Sequence, residues 1–465
     1  MDFLSSVKKH RFELILVIIL LLNIPIAIYR LIPIYGANYH DEDGWLSIAT
    51  WLYTKIFNPA YLTPSYVVQI RLFPNFPILP VFPNLPIFYH AKTPLYPLLI
   101  AVSTIFFRDI YVSGMFMAIL VSVLLLVVVQ KLAREFLHLS EDKVYMILAL
   151  FASSYMAAEY FAIPVIFPFY GLLATLCIYL NLLYFRRPSI KIMACLCVSN
   201  TLSLFCHEDI WPVIFVPELF LILLYLMKGR VDYLKKYKFG LNFVILSIVA
   251  TVIPVLFYGA FFIGADMWPT LGPTWANLTV WYAIYFPFEV PFEFLVSFFY
   301  TITYAWAFVF IAMRRDYRMA MQQFKTNLVM VQEGLSSSSN ETVEPKSEKG
   351  HASFADQLSS IKYSRGSSQA LYFDKFLMKT MLYFWLGFYF IYKMAFPGPF
   401  YPHYYYPIMF AFIFLTFQGL STRKSYEKWF WAMILVNSIL NVTQILLMVP
   451  WLYLGTVYLN LRYWL

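Results

Sequence analysis

Apolar runs of membrane-spanning length recur along this 465-residue chain, and its basic residues fall mainly in the short stretches between them. The first run extends from Phe12 to Ile34 and the second from Val112 to Val129. A helix of roughly 20 apolar residues crosses the hydrocarbon core of a bilayer, and it satisfies its own backbone hydrogen bonds while doing so. Hydrophobic residues make up 61% of the chain and charged residues 13%, against roughly 45–50% and 25% in soluble domains. The pattern predicts an all-α polytopic membrane protein, with residues 1–465 forming a single integral membrane domain. No long hydrophilic block offers a separate soluble domain, so any chemistry must be built from spans and loops. The net charge of +9 resides in inter-span loops, where it sets topology rather than binding nucleic acid. The first run exceeds a signal-peptide core and lacks a small-residue cleavage site, so it reads as a retained anchor.

Parity then fixes an orientation. Lys8, Lys9, His10 and Arg11 precede the first run and place the N-terminus in the cytoplasm. The segment from Pro94 to Phe107 is short for a span and carries two prolines. If it does not cross, five basic clusters fall inside: Lys131/Arg134, Arg186/Arg187/Lys191, Lys228 to Lys238, Arg314/Arg315/Arg318 and Arg423/Lys424/Lys428. If it does cross, all of them fall outside. The positive-inside rule selects the first arrangement. Residues 35–111 therefore read as one large external loop carrying an apolar helix along the membrane surface.

Nine further spans follow: Val144–Phe161, Pro168–Leu183, Ile192–Phe205, Trp211–Leu226, Leu241–Ile263, Phe294–Ala312, Phe376–Ala395, Pro407–Leu420 and Phe430–Leu447. The total is about eleven transmembrane helices. Residues 314–375 are polar, with Ser336 to Ser339 at their centre, and read as a disordered cytoplasmic loop. Pro74, Pro77, Pro80, Pro83 and Pro86 recur at every third residue, the repeat of a polyproline II helix. Cys177, Cys195, Cys197 and Cys206 lie in apolar runs at spacings that match no zinc or redox motif.

Titratable residues collect on the external side of this topology. His40, Asp41, Glu42 and Asp43 follow the first run, and His90 and Lys92 precede the surface helix. His207, Glu208 and Asp209 lie together at another span end, and His403 and Tyr404 open an aromatic run ending at Pro407. Consecutive carboxylates beside a bilayer are costly unless water, a metal or a reaction requires them.

In order and spacing, the first 190 residues or so resemble the GT-C superfamily of membrane glycosyltransferases. The similarity is to the branch of protein O-mannosyltransferases and aminoarabinose transferases. It rests on the acidic pair Asp41-Glu42 after the first span and on Lys92-Thr93-Pro94-Leu95-Tyr96 opening a surface helix. Pro402-His403-Tyr404-Tyr405-Tyr406-Pro407 resembles the aromatic-proline start of a late span in that family. A second acidic residue, usual in the family between the third and fourth spans, has no aspartate here. Glu159, or Glu208 with Asp209, stands in its place. The WWDYG-type motif and large C-terminal domain of oligosaccharide-transferring members are absent from this sequence, which favours transfer of a single sugar.

The resemblance implies a polyprenyl-phosphate-linked sugar as donor and a hydroxyl of a glycan, lipid or protein as acceptor, at the external face of the membrane. Asp41 is the candidate general base, with Glu42 or Asp43 orienting it. Lys92, with His90 and Arg71, would stabilise the departing phosphate, and the anomeric centre would invert. His40, Asp43, Glu159, Glu208, Asp209, His403 and Tyr404 are the remaining candidates for binding substrate. Asp41, Asp43, His90 and His207 are candidate ligands for a divalent metal, with manganese or zinc suited to carboxylate and imidazole. The rival expectation is a polytopic transporter or lipid flippase, whose essential charges would lie near mid-membrane.

Overall fold

The computed structural model describes residues 10–31, 45–46, 48–50, 52–54, 57, 95–187, 189–204, 206, 217, 307–319, 321–322, 368–395 and 406–447. Among the described residues every regular element is helical, in keeping with the all-α expectation. In chain order the helices are α1 (Arg11–Leu31), α2 (Leu95–Phe107), α3 (Ile110–Glu135), α4 (Glu141–Ser153), α5 (Tyr155–Glu159), α6 (Phe167–Arg186), α7 (Ile190–Leu204), α8 (Ser368–Ala395), α9 (Met409–Leu420) and α10 (Tyr426–Leu447). A further helical stretch covers 307–319. Apart from residue 217, the expected spans at 211–226 and 241–263 lie outside the described residues, as do the proline repeat and the serine-rich part of 314–375.

Two helices, Ile110–Glu135 and Phe167–Tyr184, are long and apolar enough to cross a membrane by length and composition. In α3 the sequence sets both the start and the two faces. Asp109 caps the helix, its carboxylate accepting from the N–H groups of Tyr111 and Val112 at 2.8 and 2.9 Å. Arg108, at φ 57°, turns the chain between α2 and α3. Ser113, Met117, Val121, Leu125 and Val129 are buried on one side, while Val112, Phe116, Leu120, Val123 and Val127 are exposed on the other. So long an exposed apolar stripe suits acyl chains better than water.

The centre of the bundle is α4. It starts with Glu141 and Asp142 in its first turn, where carboxylates favour the helix dipole. From Met146 to Ser153 every residue is buried, packed by α1, α3, α9 and α10. Such all-round burial explains why its sequence shows no polar face.

Side-chain contacts fix the helix directions. Pro164, just before α6, lies against Gly114 near the start of α3. At the other end, Tyr179 donates to Glu135 Oε1 at 3.0 Å and Arg186 donates to the Glu135 carbonyl at 3.1 Å. Thus α3 and α6 run parallel. Arg134 at the end of α3 pairs with Glu141 at the start of α4, so α4 returns. Both α1 and α10 run alongside α4: Arg11 pairs with Glu427 at 3.0 Å near their starts, and Asn23 and Asn441 reach the end of α4.

These directions gather the described basic clusters at one end. His10, Arg11, Lys131, Arg134, Arg186, Arg187, Arg423, Lys424 and Lys428 all lie there. Arg314, Arg315 and Arg318 join them through Asp316, which accepts from Gln418 Nε2 at 2.7 Å and from the Tyr383 hydroxyl at 2.9 Å. Lys379 Nζ lies 3.4 Å from the same carboxylate.

One expected span differs in form. Val144–Phe161 is not a continuous helix but is broken at Ser154, whose ψ of 146° leaves the helical region. The Ser154 hydroxyl donates to the Phe151 carbonyl at 2.7 Å and accepts from the Ala157 N–H at 3.4 Å. Serine competes in this way with the backbone ladder. Residues 160–166 then continue without regular helix up to α6.

Candidate functional site

At the end of the bundle away from the basic clusters, six buried rings and two close glycines join segments far apart in sequence. The Trp45 ring meets Tyr96 edge-on, with centroids 6.1 Å apart, and Tyr96 meets Phe169 at 5.9 Å. Tyr160 packs on Phe167 at 5.5 Å and on Tyr406 at 6.3 Å. Phe167 and Phe169 share the first turn of α6, so one helix start supports both groups. Each such pair contributes about 0.5–1.5 kcal/mol beyond simple burial.

The glycines permit the close approach. A Cβ on Gly114 would lie 2.8 Å from Pro164 Cβ and 2.9 Å from a Leu46 methyl. A Cβ on Gly171 would lie 2.6 Å from Cδ1 of the Tyr406 ring, which is fully enclosed. Gly171→Ala is therefore expected to lower stability by about 1–3 kcal/mol, the usual cost of overpacking. Thermal unfolding in detergent measures it. The loss should shrink in a Tyr406→Ala background, where the clash is gone.

The joined segments are those that border the sequence motifs. Trp45 follows Asp43 by two residues, Tyr96 follows Lys92 by four, and Tyr406 follows His403 by three. Glu159 closes α5, immediately before Tyr160, and is 3% exposed. Of the candidate site residues, Glu159 alone belongs to the described part of the chain. His40, Asp41, Glu42, Asp43, Arg71, His90, Lys92, His207, Glu208, Asp209, His403 and Tyr404 lie outside the described residues. The four candidate metal ligands are therefore among them, and within the described residues no three His, Cys, Asp or Glu side chains gather to hold a metal ion.

A second feature near this end escaped the sequence reading. Three asparagines, Asn23, Asn437 and Asn441, are buried at 2%, 3% and 6% exposure and converge on the break between α4 and α5. The available signal was their position inside the first and last apolar runs. Polar side chains there face the bundle interior and bond across helices.

Comparison with protein-family models, with curated proteins and with solved structures finds no match to this chain.

Proposed function

We propose that the chain is an inverting membrane glycosyltransferase of the GT-C kind, moving a single sugar from a polyprenyl-phosphate donor to a hydroxyl of a glycan, lipid or protein. The observation that supports this most is the joining of four motif-bordering segments at one end of the bundle, opposite the basic end. Each residue of chain spans at most about 3.3–3.6 Å. Covalent connection therefore keeps Asp41, Lys92 and His403 within roughly 15 Å of their buried anchors Trp45, Tyr96 and Tyr406. This short reach from joined anchors is what supports a site in which acidic, basic and imidazole groups from separate loops work beside Glu159.

The chemistry follows from the residue types. Asp41 takes the acceptor's proton as that oxygen attacks the anomeric carbon, and the bond to the phosphate oxygen breaks on the opposite side. Polyprenyl phosphate leaves with the bonding pair, its charge met by Lys92 with His90 and Arg71. The donor's lipid tail stays in the bilayer throughout. A divalent metal held by Asp41, Asp43, His90 and His207 would add charge stabilisation at the phosphate.

Grouping of the basic residues at one end favours a cytoplasmic location for that end and an external location for the site. This is the orientation with about eleven spans, a cytoplasmic N-terminus and an external loop at 35–111. Cysteines introduced at Ser140 and Ser425, both exposed at the basic end, are expected to resist impermeant thiol reagents in intact cells and to react after permeabilisation. Labelling of both from outside would reverse the topology and remove the site from the external face.

The broken α4–α5 element is the one observation that favours the transporter alternative, since transporters bind cargo at interrupted helices. A panel of polyprenyl-phosphate sugars assayed with the purified protein separates the two. Sugar transfer with one donor supports the enzyme. Its absence with every donor, together with energised movement of a lipid or solute in vesicles, supports transport.

A further inference from the structure

We propose that Asn23, Asn437 and Asn441 are positioning residues: they hold open the break between α4 and α5 and so set the place of Glu159 at the transfer site. The functional half of this proposal rests on the glycosyl-transfer reading; the structural half does not.

A helix leaves its last four carbonyls without partners from its own ladder, and in an apolar interior each such group must be satisfied from elsewhere. At the end of α4 all four are met by side chains. Leu150 O accepts from Ser153 Oγ at 3.2 Å, and Phe151 O accepts from Ser154 Oγ at 2.7 Å. Ala152 O accepts from Asn23 Nδ2 at 2.9 Å, and Ser153 O accepts from Asn441 Nδ2 at 3.1 Å. Asn437 Nδ2 donates to Ser153 Oγ at 3.3 Å and fixes the hydroxyl that serves Leu150. The break is therefore built, with donors supplied by α1 and α10 across 129 and 288 residues of sequence.

The same two helices pack directly on α5. An uninterrupted helix through residue 161 would need none of these donors. The break is what lets α5 take its own direction, ending at Glu159 with Tyr160 seated between Phe167 and Tyr406. Asn441 acts through its NH₂ group, since its Oδ1 makes no hydrogen bond among the described residues. Loss of one donor leaves a carbonyl unsatisfied, favours closure of the break into helix and shifts Glu159.

Asn441→Leu keeps the volume and removes the donor, and two measurements read the result. In the first, cysteines replace Tyr160 and Tyr406, whose rings lie 6.3 Å apart, with serine at Cys195 and Cys197. A small membrane-permeant thiol oxidant such as iodine links them as a disulfide, and a protease site placed at Ser336–Ser339 reports the link on a gel. Linking is expected to slow in Asn441→Leu and to recover in Asn441→Gln, which keeps an amide donor. In the second, with the native residues at 160 and 406, kcat for transfer is expected to fall by about 10²-fold with KM unchanged, the scale of a displacement near 1 Å, and to recover in Asn441→Gln.

A variant that melts lower yet links and turns over at wild-type rates overturns the proposal, because the asparagines then serve stability alone. Should Asn441→Leu fail to fold, Asn23→Leu, which orphans the Ala152 carbonyl, decides the matter. Slower linking in it supports the clasp, and unchanged linking overturns it. If the wild type transfers no sugar at all, the glycosyl-transfer reading fails separately, and the linking measurement still decides the clasp.

Discussion

Asp41→Asn is expected to leave donor binding intact while lowering sugar transfer by about 10²–10⁴-fold, the usual contribution of a general base. The change preserves size and some hydrogen bonding but removes the basic oxygen. An acceptor hydroxyl is a poor nucleophile until its proton has somewhere to go, so the loss should fall on kcat rather than on donor affinity. Asp41 sits four residues before Trp45, a ring 2% exposed and packed against Tyr96. Since that anchor is untouched, the variant should fold. Measured turnover with a competent donor, alongside direct binding of the lipid-linked sugar, checks both halves. Unchanged transfer would falsify the assignment of Asp41 and leave Glu42, Asp43 or Glu208 as the base.

What sequence reveals here depends on how local the cause is. The extents of α3 and α6 follow from apolar runs closed by Lys131/Arg134 and Arg186/Arg187, and those residues mark their own ends. Helix α6 carries Pro168 in its first turn, where the missing N–H costs nothing. The break at Ser154 has a distant cause. Serine is tolerated in many helices, and the donors that make the break stable, Asn23 and Asn441, lie on α1 and α10. No local periodicity carries that information.

The candidate site divides in the same way. Its charged residues were legible by type, because consecutive carboxylates and a lysine beside a bilayer need a reason to be there. The joining of the segments that border them was not legible. It depends on Trp45, Tyr96, Tyr160, Phe169 and Tyr406, which in a chain that is 20% aromatic look like ordinary apolar filling. The glycines opposite them, Gly114 and Gly171, gain meaning only once the partner side chains are placed.

Lys92→Ala is expected to reduce transfer by about 10²–10³-fold, equivalent to roughly 2.7–4 kcal/mol of transition-state stabilisation. Phosphate on a polyprenyl chain is a good leaving group whose negative charge grows as the glycosidic bond breaks. A cation near that oxygen therefore helps the transition state more than the ground state. Lys92 lies four residues before Tyr96, which is 1% exposed and bridges Trp45 to Phe169. The lysine is thereby tethered to the same buried joint that anchors the acidic run. Lys92→Arg keeps the charge and should retain much of the activity, whereas Lys92→Gln should behave like alanine. The comparison separates charge from packing, provided each variant is monodisperse and melts near the wild type. Near-normal turnover of well-folded Lys92→Ala would remove this residue from the site and pass the phosphate to His90 or Arg71.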